Sequence, residues 1–162
     1  MITYAQARTI VEHALDHARS SQFPPMTVAV LDAGGHLVAF GREDHSSLLR
    51  ERIAVGKARG ALNMGVGSRS LAVRAASHPH FVNALVGLAD GDLVPVPGGV
   101  LVRDGDGQVV GAVGVSGHLP GLDEEAALKG IEATGLTADP GSDTPAHGDG
   151  QHTAGGKENG TP

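Results

Sequence analysis

The sequence predicts an α+β domain in which a central antiparallel β-sheet is flanked by helices. Three observations carry that prediction. Two stretches read as β-hairpins, MTVAVL and HLVAF around Asp32-Ala33-Gly34-Gly35, and residues 100–102 and 109–115 around Asp104-Gly105-Asp106-Gly107. Stripes of apolar residues at helical spacing precede, separate and follow these hairpins, so the order is helix, hairpin, helix, hairpin, helix. The outgoing arm of the second hairpin, with Val109, Val110, Ala112, Val113 and Val115, is apolar on both faces, as a central strand covered twice requires.

Taken in order, residues 3–20 are a helix, because Tyr4, Ala7, Ile10, Val11, Ala14, Leu15 and Ala18 form one stripe and Thr3 and Gln6 have capping-box spacing. Residues 22–25 break it. The first hairpin follows, with strands over 26–31 and 36–40. A second helix runs from Ser46 or Ser47, either serine serving as N-cap, to about Asn63. Gly56 and Gly60 inside it predict close packing. Residues 68–76 form a short helix ended by Pro79, and 85–97, interrupted by Gly87, Gly91, Pro95 and Pro97, read as a loop-rich connection. In the second hairpin Gly111, Gly114 and Gly117 match neither the strand nor the helix period and mark a close approach to the backbone. A third main helix covers 122–134, with Asp123, Glu124 and Glu125 in its first turn, where they suit the helix dipole. Beyond Leu136 apolar residues almost vanish, which predicts a folded domain over 1–136 and a disordered Gly/Pro/Asp-rich tail over 137–162.

Composition removes whole classes of function. The absence of cysteine excludes disulfides, thiolate metal sites, iron–sulfur clusters and a cysteine nucleophile. A net charge of -6 and 2% aromatic residues argue against nucleic acid as a partner. No run approaches the roughly 18 apolar residues of a membrane span, and the amino terminus lacks a basic-then-apolar pattern, so a cytoplasmic protein without a membrane partner is expected. Charge is uneven, however: Arg42, Arg50, Arg52, Lys57, Arg59, Arg69 and Arg74 make the middle of the chain locally basic.

Four separated stretches, MTVAVLDAGGHLVAFGRED, IAVGKARGAL, PVPGGVLV and GQVVGAVGVSG followed by DEEAALKGIEA, resemble the GlcG/HbpS family, also called the haem-degrading domain or DUF336 family. The resemblance covers nearly all of residues 1–136. It implies a profilin-like arrangement of sheet and helices, a homo-oligomer from a dimer up to an octamer, and haem as a possible cofactor. Where the family commonly has Arg-Met-Asp-Gly-Ala after the second strand, this chain has Arg42-Glu43-Asp44-His45-Ser46. Its next helix has Lys57-Ala58-Arg59-Gly60 in place of a lysine-alanine-aromatic-threonine run. Both changes add ionisable groups.

Three readings of function follow. The first is a haem- or tetrapyrrole-binding protein, with haem degradation the further activity that the family resemblance implies. Without cysteine the axial ligand is a His, Met or Tyr, and His13 and His17, four apart on the first helix, are the iron candidates. A solvated helix face is the plain alternative for them. Arg42, Lys57 and Arg59 are placed to receive carboxylates. His78 and His80 flank Pro79 at a helix end, as a ligand site or a solvated turn, and the Ser116 to His118 loop lines a pocket. The second reading is a cofactor-independent enzyme of lyase or isomerase type acting on a small organic substrate. There His45 and Asp44 form an acid/base pair, with Glu43 an alternative base. A structural oligomer is the third. In either functional reading the chemistry is expected where the loop at Ser116 to His118 faces the Arg42 to His45 corner.

Overall fold

The structure, a computed structural model, describes residues 1–144. Helix α1 (Tyr4–Ser20) opens with the expected capping box, the Thr3 side chain accepting from the Gln6 backbone and the Gln6 side chain accepting from the Thr3 backbone, and buries Ala7, Ile10, Val11, Ala14, Leu15 and Ala18. Strands β1 (Thr27–Asp32) and β2 (Leu37–Arg42) pair antiparallel as the first hairpin. Helices α2 (Arg50–Met64), α3 (Ser68–Ser77) and α4 (Pro79–Leu88) follow, then the second hairpin, β3 (Gly99–Arg103) and β4 (Val109–Ser116). Helix α5 (Pro120–Glu132) and a short strand β5 (Thr137–Asp139) complete the described chain.

The sheet order is β2-β1-β4-β3-β5, with every neighbouring pair antiparallel. β4 is central, as its two apolar faces require. Val28, Val30, Val100, Val102, Val113 and Val115 bury one face of the sheet with Ile10 and Ala14 of α1 and Ala126 and Ile131 of α5. The alternate residues Leu31, Leu101 and Ala112 pack the other face with Ala58 and Ala61 of α2. Gly114 shows why β4 carries glycine: a Cβ there would overlap the Ala54 carbonyl oxygen, so α2 lies directly on the strand backbone.

The structure corrects three expectations. α2 starts at Arg50 without a side-chain cap, and Ser46 is buried and bonded to Thr27 instead. Residues 85–88 continue α4, whose Pro79 occupies the first helical turn, where a missing N–H costs nothing. The domain boundary at 136 falls short, because β5 pairs with β3 (Leu101↔Asp139, Val102↔Ala138, Arg103↔Thr137) and Arg103 Nη2 donates to Asp139 Oδ2 at 2.8 Å. Residues 145–162 of the expected tail lie outside the described residues.

Candidate functional site

The sheet register brings three strands together at one end. Thr27 of β1 stands opposite both Arg42 of β2 and Ser116 of β4, so these residues form a cross-strand row beneath the start of α2. Paired residues share a face of the sheet. The Thr27 and Ser46 hydroxyls lie 2.8 Å apart, and Arg50 Nη1 donates to Ser116 Oγ at 3.1 Å. The Arg42 guanidinium donates to the Ser46 carbonyl. Arg42 and Ser116 thus flank Thr27 at one end of the sheet.

Lys57 lies deeper, on the buried stripe of α2 with Ala54, Ala58 and Ala61. Its Nζ donates to Asp123 Oδ2 at 2.8 Å and to the Val115 carbonyl at 3.0 Å, and both ionic side chains are 2% exposed. Burial pushes the Lys57 ammonium below the ordinary lysine range; the neighbouring Asp123 carboxylate pulls the other way but does not cancel the desolvation. The second oxygen of Asp123 accepts the His118 backbone N–H at 2.8 Å. Beside the pair, Arg69 of α3 donates to the buried Glu124 carboxylate.

From His118 the site opens outward. Its ring meets Phe23 edge-on, centroids 5.1 Å apart, and Phe23 meets His17 in the same manner at 5.8 Å. His17 Nε2 is 2.7 Å from Glu125 Oε1. Phe23 also forms one wall of an open cleft of about 560 Å³, with Leu15 and Pro25 apolar and Arg19, Arg42, Glu43 and Asp44 polar.

The other sequence candidates are dispersed. The Glu43 carboxylate accepts the Met26 N–H at 2.8 Å and the Arg19 Nε–H at 2.9 Å, so it ties strand to helix. Asp44 and His45 are exposed, and His45 takes a left-handed backbone (φ 68°) in the turn leaving β2. His13 is exposed, its ring bonded to the Thr9 carbonyl, unlike the half-buried His17. Arg59 points away from Lys57, pairing with Asp92 at 2.5 Å beside the β1–β2 turn. His78 and His80 sit exposed at the α3–α4 junction. Among the described residues no three His, Asp or Glu groups converge as a metal cage.

Sequence reading missed Phe23, Arg50, Asp123 and Glu125. Asp123 was legible only as a helix-dipole acid. One signal was present: a lysine on a stripe of alanines needs a buried acidic partner.

A helix-flanked antiparallel sheet with an aromatic-walled cleft at one end and a charged pair beneath its exit loop defines a small α+β domain with a candidate binding cleft. The chain belongs to the family described as haem degrading protein HbpS-like, whose model matches residues 2–132. Its fold is that of a crystal structure of a PduOC–haem complex (23% identity, 84% of this chain and 96% of that one, TM-score 0.76). It is also that of Klebsiella pneumoniae protein ORFY (24%, 83% and 90%, TM-score 0.73). A double mutant of Streptomyces reticuli HbpS is similar as well (25%, 81% and 85%, TM-score 0.70). No curated protein matches the chain.

Proposed function

We propose that the chain binds haem or a related tetrapyrrole in the cleft beside Phe23, with His118 as the iron ligand and Arg42 directed to the propionates. The observation that carries this reading is the His118 ring. It is half-buried, packed edge-on against Phe23, itself a lining residue of the cleft, and without a ring hydrogen bond among the described residues. An axial imidazole ligates through one free nitrogen; both are free in His118, whereas Glu125 occupies Nε2 of His17 and leaves it only Nδ1, the nitrogen nearer its own backbone.

The residues present fit such a group. A tetrapyrrole requires apolar walls, a nitrogen donor and cations for two carboxylates; Leu15, Phe23 and Pro25 line the cleft with Arg19 and Arg42, and His118 stands next to it, against Phe23. The cleft volume lies within the roughly 300–1,000 Å³ of small-molecule sites. The family description and the solved haem complex of PduOC support the same ligand class. Bound haem would supply a redox-active iron; the chain's own residues orient it and shield one face. The competing enzyme reading through His45, Asp44 and Glu43 gains no geometric support, since Glu43 is engaged and the other two project into solvent.

Titrating the full chain with haemin tests the proposal. A red-shifted, saturable Soret band at one equivalent is expected, weakened in Arg42→Ala. A spectrum identical to free haemin overturns it.

The same proposal includes assembly into a homo-oligomer. β2 is a sheet edge, and Leu37, Leu48 and Leu49 on or just beyond it are exposed. Light scattering that returns a monomer mass at micromolar concentration contradicts this part.

A further inference from the structure

We propose that Asp123 is a positioning residue for His118, and that Lys57 holds Asp123 in that role. The inference rests on the tetrapyrrole reading for its ligand, although the contacts it concerns exist without one. Asp123 stands in the first turn of α5 with its oxygens divided between two partners. Oδ1 accepts the His118 N–H at 2.8 Å and Oδ2 meets Lys57 Nζ at 2.8 Å. Nζ also donates to the Val115 carbonyl at 3.0 Å, so one ammonium ties the end of β4 to the start of α5, on either side of the loop that carries His118.

With both side chains 2% exposed, neither has water as an alternative partner. Turning the carboxylate breaks one bond or the other and leaves a buried polar group unsatisfied, which the structure avoids throughout its described residues. Gly98 makes room for the pair. Its backbone is left-handed (φ +113°), and a Cβ there would press on Lys57 Nζ and Asp123 Cβ at 2.8 and 3.0 Å. With its backbone fixed in this way, His118 lays its ring against Phe23, which lines the cleft. Capping α5 requires neither a carboxylate on the His118 N–H, which precedes the Leu119 N-cap, nor a desolvated lysine that spans β4 and α5.

The test compares two variants of the full chain. Lys57→Met combined with Asp123→Leu exchanges the buried ion pair for an apolar one, a change that such sites tolerate, but removes the acceptor for the His118 N–H. Lys57→Gln combined with Asp123→Asn removes both charges together and keeps a carbonyl oxygen for it. The nuclear Overhauser contact between the His118 and Phe23 rings is expected in the wild type and in this amide variant and absent from the apolar variant. The haemin Kd is expected to rise about tenfold or more in the apolar variant and to stay within about threefold in the amide variant. An apolar variant that keeps the ring contact and the affinity overturns the proposal. If the wild type takes up no haemin, the tetrapyrrole reading fails by itself and the ring contact still decides positioning. If the apolar variant does not fold, amide exchange at His118 of the wild type decides: protection supports the proposal, and exchange as fast as an open loop overturns it.

Discussion

Lys57 sits where the stripe of α2 is otherwise alanine, and desolvating its ammonium has consequences for stability. Breaking a buried ion pair strands the partner. Lys57→Met alone is therefore expected to lower unfolding free energy by about 3–5 kcal/mol, and the Lys57→Met, Asp123→Leu pair by much less or not at all. Urea denaturation of the three proteins checks this, and equal losses for single and double variants would contradict it. The pH dependence has a defined sign. The folded-state pKa of Lys57 lies below its ordinary value of 10.5. Between the two, the unfolded chain holds a proton that the folded chain has released, so stability rises with pH in that window. Relative to Lys57→Met, the wild type is expected to gain stability as pH climbs toward 10.5. A wild type that loses ground there would show that Asp123 outweighs desolvation. From sequence, Lys57 was recognisable as a candidate, whereas Asp123 was not, because 66 residues separate partners that only the packing of α2 and α5 brings together.

At the scale of elements, α2 lies on the central sheet through the bare backbone of Gly114. Gly114→Val is expected to push α2 off β4, at an overpacking cost of about 1–3 kcal/mol or more, visible as a lower Tm. An unchanged Tm would mean that the helix shifts freely. Both hairpins, the sheet face of α1 and the central place of β4 were readable, since each rests on local periodicity or turn chemistry. The elements misread have other causes. Residues 85–88 resembled a loop because Pro79 and Gly87 look like breakers, yet one occupies a tolerated first-turn position and the other falls within the last turn of α4. β5 escaped because a three-residue edge strand is held by backbone pairing and the Arg103–Asp139 contact, neither of which requires an apolar pattern. Neither Ser46 nor Ser47, the two expected N-caps, caps α2, and the Ser46 hydroxyl finds its partner in Thr27 on a strand of the sheet.

For the whole molecule, the functional groups gather at one end of the sheet, where α1 ends, β4 exits and α5 begins. Sequence located the Arg42 and Ser116–His118 sides of this end, since both follow strand termini. It did not bring His17 and His118 together around Phe23, a contact between α1 and the loops that follow α1 and β4, which meet only in the folded chain. The central claim is that His118 ligates haem iron at this end. Its most direct test is haemin titration of the wild type beside His118→Ala and His17→Ala, followed at the Soret band and by electron paramagnetic resonance of the ferric complex. The account predicts that an imidazole-ligated spectrum survives His17→Ala and disappears with His118→Ala. An identical ligated spectrum from His118→Ala would contradict it.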